Sequence, residues 1–176
     1  MRGGDGVKSK LILDACCGGR MFWFNRNQPN TLFIDKRKME KQIIWVSKDK
    51  KEKAFFEVTP DRIMDFRSLK LPDNTFYLVV FDPPHIVENC SSGWQRKKYG
   101  ELSPITWKDD IRKGFEECFR VLRPYGVLIF KWCEIDKKLK EILDLSPQKP
   151  LFGHRSGKQQ KTHWLCFMKI PKVIDD

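Results

Sequence analysis

The stretch LILDACCGG, residues 11–19, decides how the rest of the chain is read. Its apolar run stops at Asp14, and Cys16-Cys17-Gly18-Gly19 follows with small side chains and two glycines. Such a run predicts a buried strand, Lys10–Ala15, entering a tight turn. Gly18 and Gly19 allow the backbone to approach a ligand where a Cβ would clash. Outward from this point the same pattern returns. TLFID (31–35) closes on Asp35, Arg62–Met64 precedes Asp65, and YLVVF (77–81) closes on Asp82. An acid is common where one strand stops, but four at successive strand ends, one beside a glycine pair, point to a ligand site. In an open α/β sheet that site lies beyond the carboxyl ends of the strands.

The intervening segments complete the pattern. Residues 19–27 leave room for a short helix, and Gln42–Val46 with Ala54–Val58 predicts a hairpin around a charged turn. Residues 85–103 form a long polar loop, a length that in a compact domain is usually functional or mobile. Thr106 is placed to cap a helix whose Ile111, Phe115, Cys118, Phe119 and Leu122 share one face. Pro124-Tyr125-Gly126 then turns the chain into the strand VLIFKW (127–132). Residues 135–143 suit a short amphipathic helix, and 150–153 with 163–169 suit two closing strands. Apolar strands alternating with helices argue an α/β fold. The sheet is mostly parallel with a C-terminal antiparallel hairpin, and helices lie on both faces.

At 176 residues the chain fits one domain, residues 10–170, preceded by a Gly-rich, basic lead-in at 1–9 and followed by a tail at 171–176. The lead-in has no apolar core of a secretory signal, and no run approaches the length of a membrane span. Six cysteines form no CxxC pair, and the three histidines are not spaced as metal ligands. These features predict a reducing, cytoplasmic setting, no disulfide framework and no metal. A formal charge of +11 favours a polyanionic partner, DNA or RNA above all.

The acids divide by chemistry. Asp35 stands 21 residues after Asp14, near the spacing at which an acid meets ribose hydroxyls. Asp65 can accept from an adenine amino group. GxGxxG is absent, so the cradle suits a nucleoside carrying a small charged group better than a pyrophosphate. Beyond His85 the loop interleaves Trp94, Tyr99 and the cations Arg96, Lys97 and Lys98, which suits a lid or a nucleic-acid contact. No acid occurs between Asp144 and Asp175, where His154, Arg155, Lys158 and Lys161 cluster as a candidate phosphate-contacting patch. The charged run 36–53 contains acids too and reads as solvated surface. Phe22, Trp23 and Phe24 could line an adenine, with core packing the commoner use of such a cluster.

With these residues in view, LILDACCGG resembles the first motif of class I S-adenosylmethionine methyltransferases, and TLFID resembles their second strand. DFRSLKLPDNTFYLVVFDPPH (65–85) and FRVLRPYGVLIFKW (119–132) resemble the later motifs, so the likeness spans residues 10–170. The ending Asp82-Pro83-Pro84-His85 is similar to the D/N-P-P-aromatic motif of amino-methyltransferases. DACCGGRMFWF (14–24) resembles compact enzymes carried by phages and prophages. The resemblance implies a Rossmann-like class I methyltransferase sheet with S-adenosylmethionine as cofactor and S-adenosylhomocysteine as product. It implies cofactor contacts at Asp14, Ala15, Cys16, Cys17, Gly18, Asp35, Asp65, Phe66 and Asp82, and catalysis by Asp82, Pro83, Pro84 and His85. Substrate would meet His85, Trp94, Lys97, Lys98, Tyr99, Arg155 and Lys158. Two positions depart from the pattern. Arg20 replaces the loop's third glycine, and His85 replaces Tyr, Phe or Trp.

The activity implied is methylation of an exocyclic amino nitrogen of a nucleobase in DNA or RNA, adenine N6 first. A protein side-chain amide or a small molecule is an alternative acceptor, and a non-catalytic partner subunit is a further reading. A monomer or homodimer is expected, with a second subunit available to supply target recognition.

Overall fold

The computed structural model describes residues 10–49, 51–88 and 93–171. The lead-in at 1–9 and residues 172–176 of the tail lie outside the described residues. Strand β1 (Ile12–Asp14) is followed by β2 (Thr31–Asp35), the hairpin strands β3 (Met39–Val46) and β4 (Lys53–Val58), β5 (Arg62–Ile63) and β6 (Phe76–Phe81). Then come α1 (Gly93–Tyr99), α2 (Trp107–Val121), β7 (Leu122–Cys133), α3 (Leu139–Leu143), β8 (Phe152–Ser156) and β9 (Thr162–Met168). Seven strands form one sheet in the order β5-β2-β1-β6-β7-β9-β8, and β3-β4 form a separate two-stranded sheet. β1, β2, β5, β6 and β7 are parallel, whereas β9 and β8 close the sheet antiparallel.

α2 supplies the main helical cover. Ile111, Phe115, Cys118 and Phe119 lie on one buried stripe, as their spacing predicts. Phe115 meets Phe81, Phe130 and Phe167 at centroid separations of 5.7, 4.8 and 5.9 Å, which binds the helix to β6, β7 and β9. Such aromatic pairs contribute about 0.5–1.5 kcal/mol each beyond their area. Thr106 holds the N-cap position, but its side chain makes no capping bond; its hydroxyl donates instead to Asp110 Oδ2 at 2.9 Å.

Among the described residues the opposite face lacks a comparable helix. Residues 19–30 are turns, not the expected short helix. Side chains do the covering there: Trp23 packs edge-on against Phe33 at 5.1 Å, and the Arg20 guanidinium lies 3.9 Å over the same ring. Farther along this face Val127 and Ile129 of β7, with Trp164 and Cys166 of β9, stay half-buried.

Other boundaries differ for local reasons. The strand expected at Arg62–Met64 is the two-residue edge strand β5, with Arg62 and Ile63 both facing solvent and Met64 beyond it. The loop at 85–103 contains α1, α3 begins only at Leu139, and β8 runs on to Ser156. Both hairpins fall where expected, at β3-β4 and at β8-β9.

Candidate functional site

The strand order reverses between β1, whose chain moves outward to β2 and β5, and β6, whose chain moves the other way to β7. Ligands in such sheets bind at this switch point, beyond the strands' carboxyl ends. A cavity opens there. Its walls are the β1 loop from Ala15 to Gly19, Asp35 after β2, Asp82 to His85 after β6, Lys98 and Tyr99 of α1, and the side chains of Phe22, Phe66 and Lys131.

The β1 loop is tied back to the sheet by its own amides. Ala15 N–H donates to Val80 O at 2.9 Å, Cys17 N–H to Ile34 O at 2.8 Å and Gly18 N–H to Asp35 Oδ2 at 3.0 Å. Gly18 adopts φ +46°, a conformation that favours glycine. With these three donors spent inside the protein, the β1 loop itself offers a ligand mainly carbonyl oxygens, while Lys36, Arg37, Lys98 and Lys131 bring cations to the cavity wall. The loop therefore lacks the row of free amides that cradles a pyrophosphate.

Asp14 is not in the cavity wall. It is fully buried; its Oδ2 accepts from Trp23 Nε1 at 2.7 Å and its Oδ1 from Cys16 N–H at 3.2 Å. Burial raises its pKa to about 7, against the lowering effect of those two bonds. Its place is that of a clamp holding the turn segment to the loop.

Asp35 does reach the cavity, and its oxygens are fully engaged. Oδ1 accepts from Arg37 N–H and Nε at 2.9 and 3.1 Å, and Oδ2 from Gly18 N–H and Arg37 Nη2 at 3.0 and 3.2 Å. A ribose hydroxyl binding Asp35 would therefore displace the Arg37 side chain. Arg37 Nη1 also donates to Lys97 O of α1 at 3.1 Å, so the same guanidinium joins the β2 end to the segment beside His85.

Asp65 lies outside the cavity, while its neighbour Phe66 lines it. Arg67 holds the Asp65 carboxyl below its usual range and links it to Asp110 of α2 through a 3.0 Å contact. Phe66 packs 5.3 Å from Phe81, so one ring serves both core and cavity.

Asp82, Pro83, Pro84 and His85 come together at the carboxyl end of β6. Lys131 Nζ donates to Asp82 Oδ2 at 2.6 Å, a pair that reading the motifs did not anticipate. Its signal was present: a lysine inside the apolar strand VLIFKW, opposite the end of YLVVF. Lys131 also lies 5.9 Å from the Phe22 ring and 5.6 Å from that of Trp164. His85 tilts against Tyr99 at 5.7 Å and meets Trp132 edge-on at 6.4 Å. Burial lowers its pKa, with Asp82 opposing, so the imidazole is neutral near neutral pH.

The remaining expected substrate residues separate. Lys98 and Tyr99 line the cavity, whereas Trp94 and the Lys97 side chain do not. Arg155 sits on β8 in a different cleft, with Lys140, Lys149 and His163, and Lys158 lies in the turn beyond it. In that cleft His163 Nε2 lies 3.0 Å from Glu134 Oε2 without the alignment of a hydrogen bond. Of the aromatic cluster, Phe22 lines the cavity, Trp23 packs on β2 and Phe24 is fully exposed. Burial pushes the Cys17 thiol up to about 12 and that of Cys16 well above its usual value, so neither is a reactive thiolate. Cys90 lies outside the described residues. No cluster of metal-ligating side chains occurs among the described residues, and no helix there is long and apolar enough to cross a membrane.

Neither a protein-family model nor a curated protein sequence matches the chain. Solved structures do. A protein of Pyrococcus horikoshii OT3 is similar at TM-score 0.55 and 14% identity, covering 92% of this chain and 81% of its own. A SAM-dependent methyltransferase from Methanosarcina mazei is similar at TM-score 0.51 and 10% identity, covering 92% of both chains. At such identities the likeness concerns the fold: the sheet is that of the Rossmann-like class I methyltransferases.

Proposed function

We propose that this protein is an S-adenosylmethionine-dependent amino-methyltransferase that modifies an exocyclic amino nitrogen of a nucleobase in DNA or RNA, adenine N6 first. The observation that carries this reading is the convergence of Asp82-Pro83-Pro84-His85 with the β1 loop and Asp35 on one cavity at the sheet's switch point. The cradle fits the cofactor by its chemistry. Asp35 would take the ribose hydroxyls once the Arg37 side chain is displaced, with the loop carbonyls meeting the ammonium and Phe66 the adenine face. When bound, the cofactor supplies an electrophilic methyl group on a cationic sulfur.

The chain's own residues then act on the amine. Its lone pair is delocalised into the base ring, so it attacks poorly until its N–H bonds are held out of the ring plane. Asp82 and the Pro83 carbonyl accept those N–H bonds, and two successive prolines fix the carbonyl's direction. Lys131 occupies Asp82 Oδ2, which leaves Oδ1 as the acceptor for the amine. Positioning of this kind supplies much of the rate, and no strong base is needed, because the proton leaves only once the nitrogen is cationic. His85 and Tyr99 offer faces on which a base, flipped out or single-stranded, can stack.

The test incubates the protein with methyl-labelled cofactor and separate DNA, RNA and protein pools, beside Asp82→Ala. Label should enter a nucleic-acid pool, and the variant should fall by roughly 100-fold or more while still binding cofactor, as for other groups that orient a reacting atom. Label in protein alone would replace the nucleobase by a side-chain amide, which the same tetrapeptide chemistry can serve. Cofactor binding without transfer to any pool would point to a non-catalytic partner subunit.

A further inference from the structure

The hairpin β3-β4 enters the chain between β2 and β5 yet pairs with neither. Its inner side is seated on the cofactor loop. Phe56 is buried, and a Cβ on Gly19 would lie 2.6 Å from its ring, so the hairpin rests where only glycine permits. Arg20 fixes the adjoining floor by donating to Arg26 O at 2.8 Å and to Thr59 O at 2.7 Å and by pairing with Asp61. Arg20 therefore fills the place of the motif's third glycine with a brace, at φ +53°.

Between the hairpin and this floor runs a second cleft. It shares Gly18, Gly19, Met21 and Lys98 with the cofactor cavity and is therefore continuous with it. Arg26, Lys41 and Lys98 line it, and among the described residues none of the three side chains has an ion-pair partner. Glu57 is its one acidic lining residue. Phe55 lines it too and is 54% exposed, with the Lys41 ammonium 5.2 Å over its ring. Ile43, paired across the hairpin with Phe55, and Trp45 are nearly as exposed. Unpaired cations beside an exposed ring, in a groove leading away from a reaction site, suit a single strand: phosphates meet the cations and a base stacks on the ring.

We infer that the cleft between the β3-β4 hairpin and the Arg20–Arg26 turn binds the single-stranded polynucleotide flanking the base held at His85, with Lys41 and Arg26 on its phosphates and Phe55 under a neighbouring base. The inference rests on the nucleobase reading above and names a surface for target binding within the catalytic fold. The C-terminal cations Arg155 and Lys158, by contrast, line or adjoin a cleft separate from the cavity.

The experiment measures binding of fluorescein-labelled single-stranded DNA and RNA oligonucleotides to the full chain by anisotropy, across a range of salt. The double variant Lys41→Glu/Phe55→Ala is compared with Arg155→Glu/Lys158→Glu. The hairpin variant should weaken binding at least about tenfold and flatten the dependence of log affinity on log salt by about one unit. The β8 variant should bind as wild type. S-adenosylhomocysteine binding, followed by calorimetry, and the far-ultraviolet dichroism should be unchanged in both, which separates a lost surface from a lost fold. Equal binding by the hairpin variant and wild type, loss confined to the β8 variant, or no binding of either oligonucleotide by wild type overturns the inference. Hairpin-dependent binding without nucleobase methylation would overturn the activity and leave the binding surface standing, so the two failures are distinguishable. Preference between the DNA and RNA arms identifies the polymer.

Discussion

Asp14 and Asp35 close adjacent strands with the same side chain, and their surroundings give them opposite work. Asp35 is held by an arginine and an amide at the cavity edge, whereas Asp14 is sealed beneath Trp23. The pKa of Asp14, raised to about 7 by burial, has a measurable consequence. Unfolded, it titrates near 4; folded, it stays protonated up to about 7, so between those values the native state binds the extra proton. Its contribution is therefore fully present in acid and is lost as pH rises through about 7. In Asp14→Asn this loss is absent. The difference in urea midpoint, variant minus wild type, should shift in the variant's favour from about pH 5 to about pH 8. A difference constant over that range would show that Asp14 is ionised throughout. The sequence displays four strand-end acids alike; it does not display which are sealed, because burial depends on side chains such as Trp23 arriving from turns whose conformation has no periodic signature.

Elements read by periodicity were legible, and those defined by contact were not. β2 and β6 begin and end within a residue of expectation because an apolar run bounded by an acid has few alternatives. α2 was legible through its 3.6-residue stripe, but the role of Gly114 within it was not. A Cβ there would lie 2.4 Å from the Phe81 ring and 2.9 Å from Phe66. Alanine would gain about 1 kcal/mol of helix propensity, yet overpacking a full core costs about 1–3 kcal/mol. Gly114→Ala should therefore lower the thermal midpoint, and because Phe66 also lines the cavity it should weaken cofactor binding as well. A midpoint raised by the substitution would mean that the two rings yield freely. α1 escaped notice for a different reason: its seven residues are held by neighbours, including the Arg37 bond to Lys97 O, and carry no apolar stripe of their own.

Across the whole molecule, the chain keeps the sheet and the switch point of its fold and economises on helices. α2 covers one face, while Trp23 stands in for a helix over β2 and Phe22 packs on Trp164 of β9. The excess of positive charge is legible in composition, but its placement is not: the cations that adjoin the cavity and its neighbouring cleft come from the 20–41 region, α1 and Lys131 of β7, and the C-terminal cluster lies elsewhere. The charged run 36–53, which reads as plain solvated surface, contains β3 and leads into β4, and only the folding of the hairpin back onto Gly19 gives Lys41 and Phe55 a common cleft.

Because residues 19–30 are joined by isolated turn bonds, such as Arg20 N–H to Cys17 O at 2.7 Å and Gln28 N–H to Asn25 O at 3.1 Å, their amides open without breaking a cooperative ladder. Deuterium should enter this wall of the cavity early, at an opening free energy far below that of the β6-β7 core. A cofactor resting against the β1 loop and Phe22 would have to order that wall on binding. Exchange at 19–30 should slow severalfold when S-adenosylhomocysteine is added, while β7 changes little. Equal rates with and without it would mean that the wall is already rigid. Where a helix would have made a permanent partition, these turns make occupancy itself the final step of folding.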